Sequence, residues 1–281
     1  LPVPDIALPI GISFFTFQIM SYAIDAWRDK RLIQEHFSDL LLYISFFPQL
    51  IAGPIVRYTD IAAQLKERHA TPLKEAQGLR RFIIGLAKKV LISNAMAVVA
   101  DALFTQSATE NLAMPQAWLA SAAYGFQIYY DFSGYSDMAI GMGHMFGFHF
   151  LENFNYPYTA DSVTDFWRRW HISLTTWFRQ YVYIPLGGNR KGKKRTIFNI
   201  FIIFLLTGLW HGANWTFLVW GLYYAVFMIA ERLQWIPTGK IHFKPIKWLY
   251  TIFVVFTGFV IFRADTISQA WHIICSLFDF S

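Results

Sequence analysis

The chain has 281 residues, of which 55% are hydrophobic and 19% aromatic, and only 15% are charged, against about 25% in an average soluble protein. Its net charge is +6 and it has a single cysteine, which excludes an internal disulfide and a thiolate metal cluster. No Lys or Arg lies between Lys89 and Arg168, and no charged residue lies between Arg195 and Glu231. Because a spanning helix needs about 20 mostly apolar residues, these windows predict an integral membrane protein.

Apolar runs predict roughly six to eight membrane-embedded helices within one domain over residues 1–281. The runs cover about 8–26, 38–56, 82–104, 116–130, 132–150, 197–212, 214–230 and 248–262. Prolines and glycines interrupt several of them, at Pro9, Pro48, Gly53, Pro54, Pro115 and Pro157. A bilayer tolerates interrupted helices only where protein or a water-filled cavity satisfies the freed backbone groups. We therefore expect an all-α, polytopic fold with broken or re-entrant helices around a cavity.

The segment from Asp161 to Arg190 carries a strong helical pattern. Ser162 followed by Asp165 is typical of a capping box, in which each side chain satisfies an amide at the helix start. Aromatic and aliphatic residues then recur at spacings of three and four, opposite a polar stripe. This pattern predicts one amphipathic helix that begins at Ser162 and ends before Pro185.

Two histidines are candidates for chemistry. His211 lies inside the second charge-free window, where an ionisable side chain is costly to desolvate and so indicates function. Residues 212–214 predict a helix break or hairpin turn beside it. His171 projects from the aromatic face of the amphipathic helix next to Arg168 and Arg169, and a purely structural role is its alternative.

The remaining motifs narrow the chemistry. A neutral imidazole can accept a proton from a hydroxyl near pH 7. The sequence lacks a G-x-S-x-G elbow, an H-E-x-x-H motif, Cys/His metal spacing and a Walker A loop, so we expect no metal site. Gly208 and Gly212 form a G-x-x-x-G pattern that predicts close helix packing. The basic run Arg190–Arg195 either marks the cytoplasmic side or attracts a phosphate-bearing donor or acidic carrier.

Two carboxylates in an otherwise apolar region, Asp131 and Asp137, need charged partners or water. They either line the cavity or pair with an arginine of the amphipathic helix: Arg168, Arg169 or Arg179. The positive net charge has no accompanying nucleic-acid-binding motif, so we expect no nucleic-acid partner.

Seven segments in order resemble the membrane-bound O-acyltransferase family, and most closely its bacterial branch that contains the alginate O-acetyltransferase membrane subunit. They are PIGISFFTFQ (9–18), PQLIAGPIVRY (48–58), GLRRFIIGLAKKVLISN (78–94), YYDFSGYSDMAIGMGHMFGF (129–148), ENFNYPY (152–158), TDFWRRWHISLTTWFRQYVYIPLGGNR (164–190) and LTGLWHGANWTFLVWGLYY (206–224). Together they are highly specific, whereas one alone, such as WHG, would be weak.

The resemblance implies a helical membrane enzyme with a central tunnel. It would transfer an acyl group from a cytoplasmic thioester, either acetyl-CoA or an acyl carrier protein, to a hydroxyl on the outer side, with no bound cofactor. His211 matches the family's principal catalytic histidine, expected to act as general base, and His171 matches the second signature position. His171, Arg168 and Arg169 are expected to orient the donor or stabilise negative charge. Further candidates for substrate or donor binding are Trp167, Trp170, Asp131 and Asn214.

The bacterial branch implies acetyl as the acyl group, an alginate-like exopolysaccharide as the acceptor, and periplasmic proteins that relay the acetyl group. The location implied is the bacterial inner membrane, with several spans in contact with lipid. Because family members have further spans, we expect this sequence to be a fragment of a longer protein. Two alternatives stay open, namely D-alanyl transfer to teichoic acid and a transporter or channel whose buried His and Asp residues form a path.

Overall fold

The computed structural model describes residues 11–50 and 53–280, and over that part of the chain it contains helices and turns but no β-strand. The helices in chain order are α1 (Ile12–Arg28), α2 (Phe37–Ser45), α3 (Phe47–Leu50), α4 (Tyr58–Lys66), α5 (Pro72–Ala87), α6 (Asn94–Gln106), α7 (Met114–Met145), α8 (Val163–Arg169), α9 (Ile172–Phe178), α10 (Gly192–His211), α11 (Trp215–Arg232), α12 (Lys244–Arg263) and α13 (Ile267–Ser276). Two π-helical segments, Lys88–Ser93 and Arg179–Tyr183, follow α5 and α9. The all-α prediction is confirmed for these residues, and the interruption predicted at Pro9 lies outside them.

The apolar runs predicted the late helices well and one earlier helix wrongly. Helices α10, α11 and α12 cover the predicted runs at 197–212, 214–230 and 248–262. The runs at 116–130 and 132–150 were predicted as separate helices, but α7 continues through both over 32 residues. Asp131, which separates the two runs, lies within the helix, and its carboxylate forms an ion pair with Lys89.

One compact unit comprises Leu1–Leu86 and Tyr135–Glu152. Tyr43 is fully buried in its core and donates its hydroxyl hydrogen to the Val56 carbonyl at 2.9 Å. Gln49 on α3 donates to the Tyr43 carbonyl at 2.5 Å. These side-chain hydrogen bonds satisfy backbone groups where the apolar run is interrupted near Pro48, between the end of α2 and the short α3.

The other compact unit comprises Ala87–Gly134 and Asn153–Ser281, and it contains every residue proposed above for catalysis or binding. Its core is built from buried side chains of α6, α7, α8, α10, α11, α12 and α13. Tyr223 and Tyr224 join α11 to α12 by donating hydrogen bonds to the carbonyls of Val254 and Val255. The prediction of one domain over residues 1–281 stays a prediction.

Helices α10 and α11 form a tight antiparallel pair. A methyl group added at Gly208 would lie 2.6 Å from the carbonyl oxygen of Phe217, and one added at Gly221 would collide with the carbonyl of Phe204. The two backbones can approach this closely only because both positions are glycine, which confirms the packing role predicted for Gly208. Gly212 has a φ of 155° and forms the turn between the helices instead.

Two helical stretches of the described chain are long and apolar enough to cross a membrane. They are Pro72–Gln106, with 35 residues and a mean hydropathy of 1.7, and Lys244–Arg263, with 20 residues and a mean hydropathy of 1.8. Only 11% of the apolar window in the first stretch is buried, against 50% in the second. The first stretch therefore exposes a large apolar surface, as a helix in contact with lipid does.

Candidate active site

His211 is the last residue of α10, where the chain turns into α11. The turn is closed by Asn214, whose side-chain oxygen accepts the Thr216 N–H at 3.2 Å and so caps α11. The amide nitrogen of Asn214 donates to the Asp265 carbonyl at 3.0 Å. The break predicted at residues 212–214 is confirmed. The contacts of Asn214 hold this turn, and its predicted role in substrate binding stays a prediction.

Aromatic rings surround the imidazole of His211. The ring centroids of Trp210, Trp220 and Phe262 lie 4.7, 5.0 and 5.0 Å from it, each in an edge-to-face arrangement. Phe217 lies at 6.2 Å. Within the part of the chain that the structure describes, no hydrogen bond reaches the imidazole. The His211 ring is therefore held in place by aromatic packing.

His171 lies at a break between two short helices. Ser162 begins α8 as predicted, since its hydroxyl accepts the Asp165 N–H at 3.0 Å. The helix then ends at Arg169, Trp170 is extended, and His171 has a left-handed φ of 45° before α9 begins. The prediction of one continuous amphipathic helix is therefore wrong.

The cause of the break is the segment Asn153–Asn155, which lies against it. The Asn155 N–H donates to the Arg169 carbonyl at 2.9 Å, and the Ile172 N–H donates to the Asn153 carbonyl at 2.9 Å. The side-chain oxygen of Asn153 accepts the Ser173 N–H at 3.1 Å. These bonds replace those that a continuous helix would make, so the backbone at the break stays satisfied.

The side chain of His171 is buried and makes both polar and aromatic contacts. Its Nδ1 atom lies 3.3 Å from Oδ1 of Asn153 and 3.4 Å from Oγ of Ser173. The ring packs edge-on against Phe132, with centroids 4.7 Å apart. Its centroid also lies 6.3 Å from that of the Trp210 ring. Since Trp210 also contacts His211, the structure brings both predicted histidines to one indole.

A cavity of about 730 Å³ lies among α8, α9, α10 and α11. Its wall is apolar at Trp167 and Phe204 and positively charged at Arg168, Arg179 and Arg232. The positive charges suit an anionic ligand, and the volume is that of a small-molecule site.

Ring contacts connect this cavity to His211. The ring centroid of Trp167, in the cavity wall, lies 5.8 Å from that of Trp220. The Trp220 centroid in turn lies 5.0 Å from that of the His211 ring. The Nε1–H of Trp167 is buried and has no hydrogen-bond partner among residues 11–50 and 53–280. A buried indole N–H usually finds a partner, so this group is an unsatisfied donor on a residue that lines the cavity.

Glu231 also lines the cavity, and the sequence analysis missed its role. Its carboxylate accepts the N–H groups of Val163 and Thr164 at 2.8 and 2.9 Å, as well as the hydroxyl of Tyr250 at 3.2 Å. Glu231 thus fixes the start of α8 to α11 and compensates the positive end of the helix dipole. Glu231 is the first charged residue after the charge-free window that follows Arg195, and this position could have indicated its role.

The structure corrects the predicted partners of the acidic residues. Asp131 pairs with Lys89, and Asp137 pairs with Arg81 at 2.8 Å, so both form ion pairs but neither with the arginines proposed. Arg169 is paired with Asp165 at 2.8 Å, one turn earlier on its own helix, and so is already engaged. Sequence spacing along α8 favours this local pair.

Trp170 belongs to the aromatic core beneath the break. Its ring stacks on Phe166 at 5.5 Å and on Tyr158 at 6.4 Å, and packs against Phe154 at 5.1 Å. Asn153 and Ser173, whose polar atoms lie close to Nδ1 of His171, were not predicted from the sequence. Their signal, an Asn and a Ser near a candidate histidine, is too common to identify them without the fold.

Comparison with known proteins identifies the family of this chain. The sequence profile described as MBOAT, membrane-bound O-acyltransferase family, matches residues 10–268. The chain belongs to the membrane-bound O-acyltransferase family.

Among the relatives of this chain is the probable alginate O-acetylase AlgI of Pseudomonas putida, with 46% identity over 98% of this chain and 56% of that protein. The peptidoglycan O-acetyltransferase of Helicobacter pylori is 40% identical over 95% of this chain and 56% of that protein. The teichoic acid D-alanyltransferase of Bacillus subtilis is 31% identical over 90% of this chain and 68% of that protein. The chain spans about half the length of the alginate O-acetylases that it matches.

Proposed function

We propose that this chain carries the catalytic region of a membrane O-acyltransferase that transfers an acetyl group from a thioester to a hydroxyl of a cell-surface polysaccharide. The observation that carries the proposal is the placement of His171 and His211 against one indole, that of Trp210, close to a cavity with positive walls. Similarity to a probable alginate O-acetylase and a peptidoglycan O-acetyltransferase supports acetyl as the acyl group and an alginate-like polysaccharide as the acceptor.

In the proposed reaction, His211 is the general base. Its neutral imidazole takes the proton of the acceptor hydroxyl while the hydroxyl oxygen attacks the carbonyl carbon of the thioester. The new C–O bond forms, the C–S bond breaks, and the leaving thiolate receives the proton from the imidazolium. The reaction needs no nucleophile from the protein and no metal.

The acyl donor is proposed to bind in the cavity. Phosphate groups of acetyl-CoA, or the phosphate on the arm of an acyl carrier protein, would face Arg168, Arg179 and Arg232. The free N–H of Trp167 would donate to the acyl carbonyl oxygen, where negative charge develops. The basic run Arg190–Arg195 would attract the anionic donor at the cytoplasmic face.

The other candidate residues are proposed to shape the site. Arg169 holds α8 through Asp165, and Asn214 holds the turn after His211. Trp170 packs beneath the break, and Asp131 is tied to Lys89. Of the residues predicted from the sequence to bind substrate or donor, Arg168 and Trp167 are therefore the two proposed to contact the donor.

The membrane arrangement is part of the proposal. The protein would cross the bacterial inner membrane several times, with interrupted helices around a tunnel that leads from the donor cavity to the acceptor side. The exposed apolar stretch Pro72–Gln106 supports contact with lipid. Periplasmic proteins that relay the acetyl group to the polysaccharide are the proposed partners.

Acetyl transfer by a His211→Gln variant tests the proposed mechanism. The full-length protein is expressed in a deletion strain, and mass spectrometry measures acetyl groups on the extracted polysaccharide. We expect His211→Gln to abolish acetylation at an unchanged level in the membrane. His242→Gln, which changes an exposed histidine between α11 and α12, is the matched control and should leave acetylation intact. Near-normal acetylation by His211→Gln would contradict the mechanism.

D-alanyl transfer is the second candidate, because the teichoic acid D-alanyltransferase of Bacillus subtilis is 31% identical over 90% of this chain. Membranes that contain the full-length protein are supplied in parallel with labelled acetyl-CoA and labelled D-alanyl carrier protein. Label transferred only from acetyl-CoA supports the proposal, and label only from the D-alanyl carrier supports this alternative. Solute flux in proteoliposomes without any covalent acyl product would instead favour the transporter or channel.

A further inference from the structure

The side-chain amide of Asn153 has a fixed orientation. It is fully buried, and the atom that faces the backbone N–H of Ser173 lies 3.1 Å from it. A backbone N–H can only donate, so this atom is the amide oxygen and not the amide nitrogen. The same oxygen lies 2.9 Å from the Ser173 hydroxyl, which therefore donates its hydrogen to it. The backbone N–H, which can only donate, thus settles which way the amide points.

Both atoms near Nδ1 of His171 are consequently acceptors toward it. One is the Asn153 oxygen at 3.3 Å. The other is the Ser173 hydroxyl oxygen at 3.4 Å, whose own hydrogen is already donated to Asn153. A bare Nδ1 would face two oxygen lone pairs without a hydrogen between them. Nδ1 must therefore carry a hydrogen, and in a neutral imidazole the other nitrogen, Nε2, then carries the lone pair.

We infer that Asn153 and Ser173 are positioning residues that hold neutral His171 in the tautomer with hydrogen on Nδ1, so that Nε2 carries the lone pair and can accept a hydrogen bond. The inference rests on the proposed function for its meaning in catalysis. Two roles were expected for His171, namely orienting the donor and stabilising negative charge. This tautomer excludes the second, because a neutral ring with a bare Nε2 cannot donate a hydrogen bond to the developing oxyanion. His171 is therefore an acceptor for a hydroxyl or N–H group of a substrate, and the oxyanion needs another donor.

The backbone conformation supports this assignment. His171 has a φ of 45°, a left-handed value that a residue with a side chain adopts at a cost. The Asn153 carbonyl and side-chain oxygens bind the N–H groups of Ile172 and Ser173 directly after it. One asparagine therefore fixes both the backbone that carries the imidazole and the hydrogen on its ring.

Nitrogen NMR of the full-length protein in detergent tests the tautomer without any need for activity. Protonated and bare ring nitrogens of ¹⁵N-labelled histidine resonate at different shifts, and the His171→Gln variant identifies the His171 signals by difference. We expect a protonated Nδ1 and a bare Nε2 in wild type, and loss of this state in Asn153→Leu. A bare Nδ1 with a protonated Nε2 in wild type would overturn the inference even if the proposed function holds.

The kinetics of acyl transfer test whether the tautomer of His171 held by Asn153 matters for catalysis. Asn153→Leu, once thermal unfolding has shown that it is folded, should lower kcat by about 10²-fold, the cost of misplacing a group that orients the substrate. Asn153→Asp keeps the acceptor oxygen but adds a negative charge that favours the imidazolium, so the acidic limb of the kcat/KM profile should move to higher pH. A purely structural role for Asn153 predicts no such movement.

Asn155 supplies the matched control, because its side chain is exposed and its contacts at the break are made by its backbone. Asn155→Leu and Asn155→Asp should keep the wild-type rate and pH profile. A folded Asn153→Leu variant with a wild-type rate, or an Asn153→Asp variant with an unmoved profile, would overturn the inference. Absence of acyl transfer in wild type would count against the proposed function alone, since the NMR result stands independently.

Discussion

Replacing Glu231 by alanine is expected to lower the free energy of unfolding by about 2–4 kcal/mol, because it removes the acceptor at the start of α8. The carboxylate accepts the N–H groups of Val163 and Thr164 at 2.8 and 2.9 Å and the Tyr250 hydroxyl at 3.2 Å. Val163 is fully buried, and an unsatisfied buried N–H costs about 1–3 kcal/mol. Loss of the negative charge at the helix N-terminus adds about 0.3–1 kcal/mol.

Thermal unfolding of the detergent-solubilised protein, followed by tryptophan fluorescence, measures this loss. At about 2–4 °C per kcal/mol, the midpoint for Glu231→Ala should fall by about 4–16 °C. Different oxygens of the carboxylate accept the two N–H groups. Glu231→Gln keeps only one oxygen and so one of the two acceptors, and its midpoint should fall by about half as much. Glu110→Ala is the control, because that exposed carboxylate accepts from Gln106 at 3.2 Å on the surface. A midpoint for Glu231→Ala equal to that of the control would refute the reasoning.

Two further substitutions test the packing of the same unit. Gly208→Ala places a methyl group 2.6 Å from the Phe217 carbonyl, so it should destabilise the fold by about 1–3 kcal/mol in the same unfolding assay. A methyl group added at Gly239 meets no atom within 4 Å, so Gly239→Ala should not destabilise the fold. Lys89→Met leaves the Asp131 carboxylate without its partner in an apolar region and should reduce the amount of protein in the membrane fraction. The exchange Lys89→Asp with Asp131→Lys should restore that amount. A wild-type amount of Lys89→Met, or no recovery in the exchanged double variant, would contradict the pairing.

Local sequence patterns predicted those parts of the fold whose physical cause is local. The turn at Gly212 follows from a glycine with positive φ, and the start of α8 follows from the Ser162 hydroxyl. Helix α13 was not predicted, because with 10 residues it is shorter than an apolar run of membrane length. Its start nevertheless carries a local signal, since the Thr266 hydroxyl accepts the Gln269 N–H at 3.1 Å. A search for capping residues would have found it.

The sequence predicted only part of the candidate site, because only part of it has a local cause. His171 and His211 could be named from their residue type and surroundings in the sequence. The helix break that positions His171 could not, because α8 and α9 keep their apolar spacing across it. The break is caused by Asn153 and Asn155, whose hydrogen bonds to the break come from a separate segment earlier in the chain. Pairing of Asp131 with Lys89 is likewise decided by contacts distant in sequence.

The two histidines are held by different interactions, and this difference separates their roles in the proposed reaction. Aromatic edges fix the plane of the His211 ring but do not select which of its nitrogens carries the hydrogen. A base that takes a proton from a hydroxyl and gives it to a thiolate benefits from that freedom. The acceptors around Nδ1 of His171 select one tautomer, so its Nε2 presents a lone pair throughout the cycle. The geometry therefore favours proton transfer at His211 and orientation of a substrate donor group at His171.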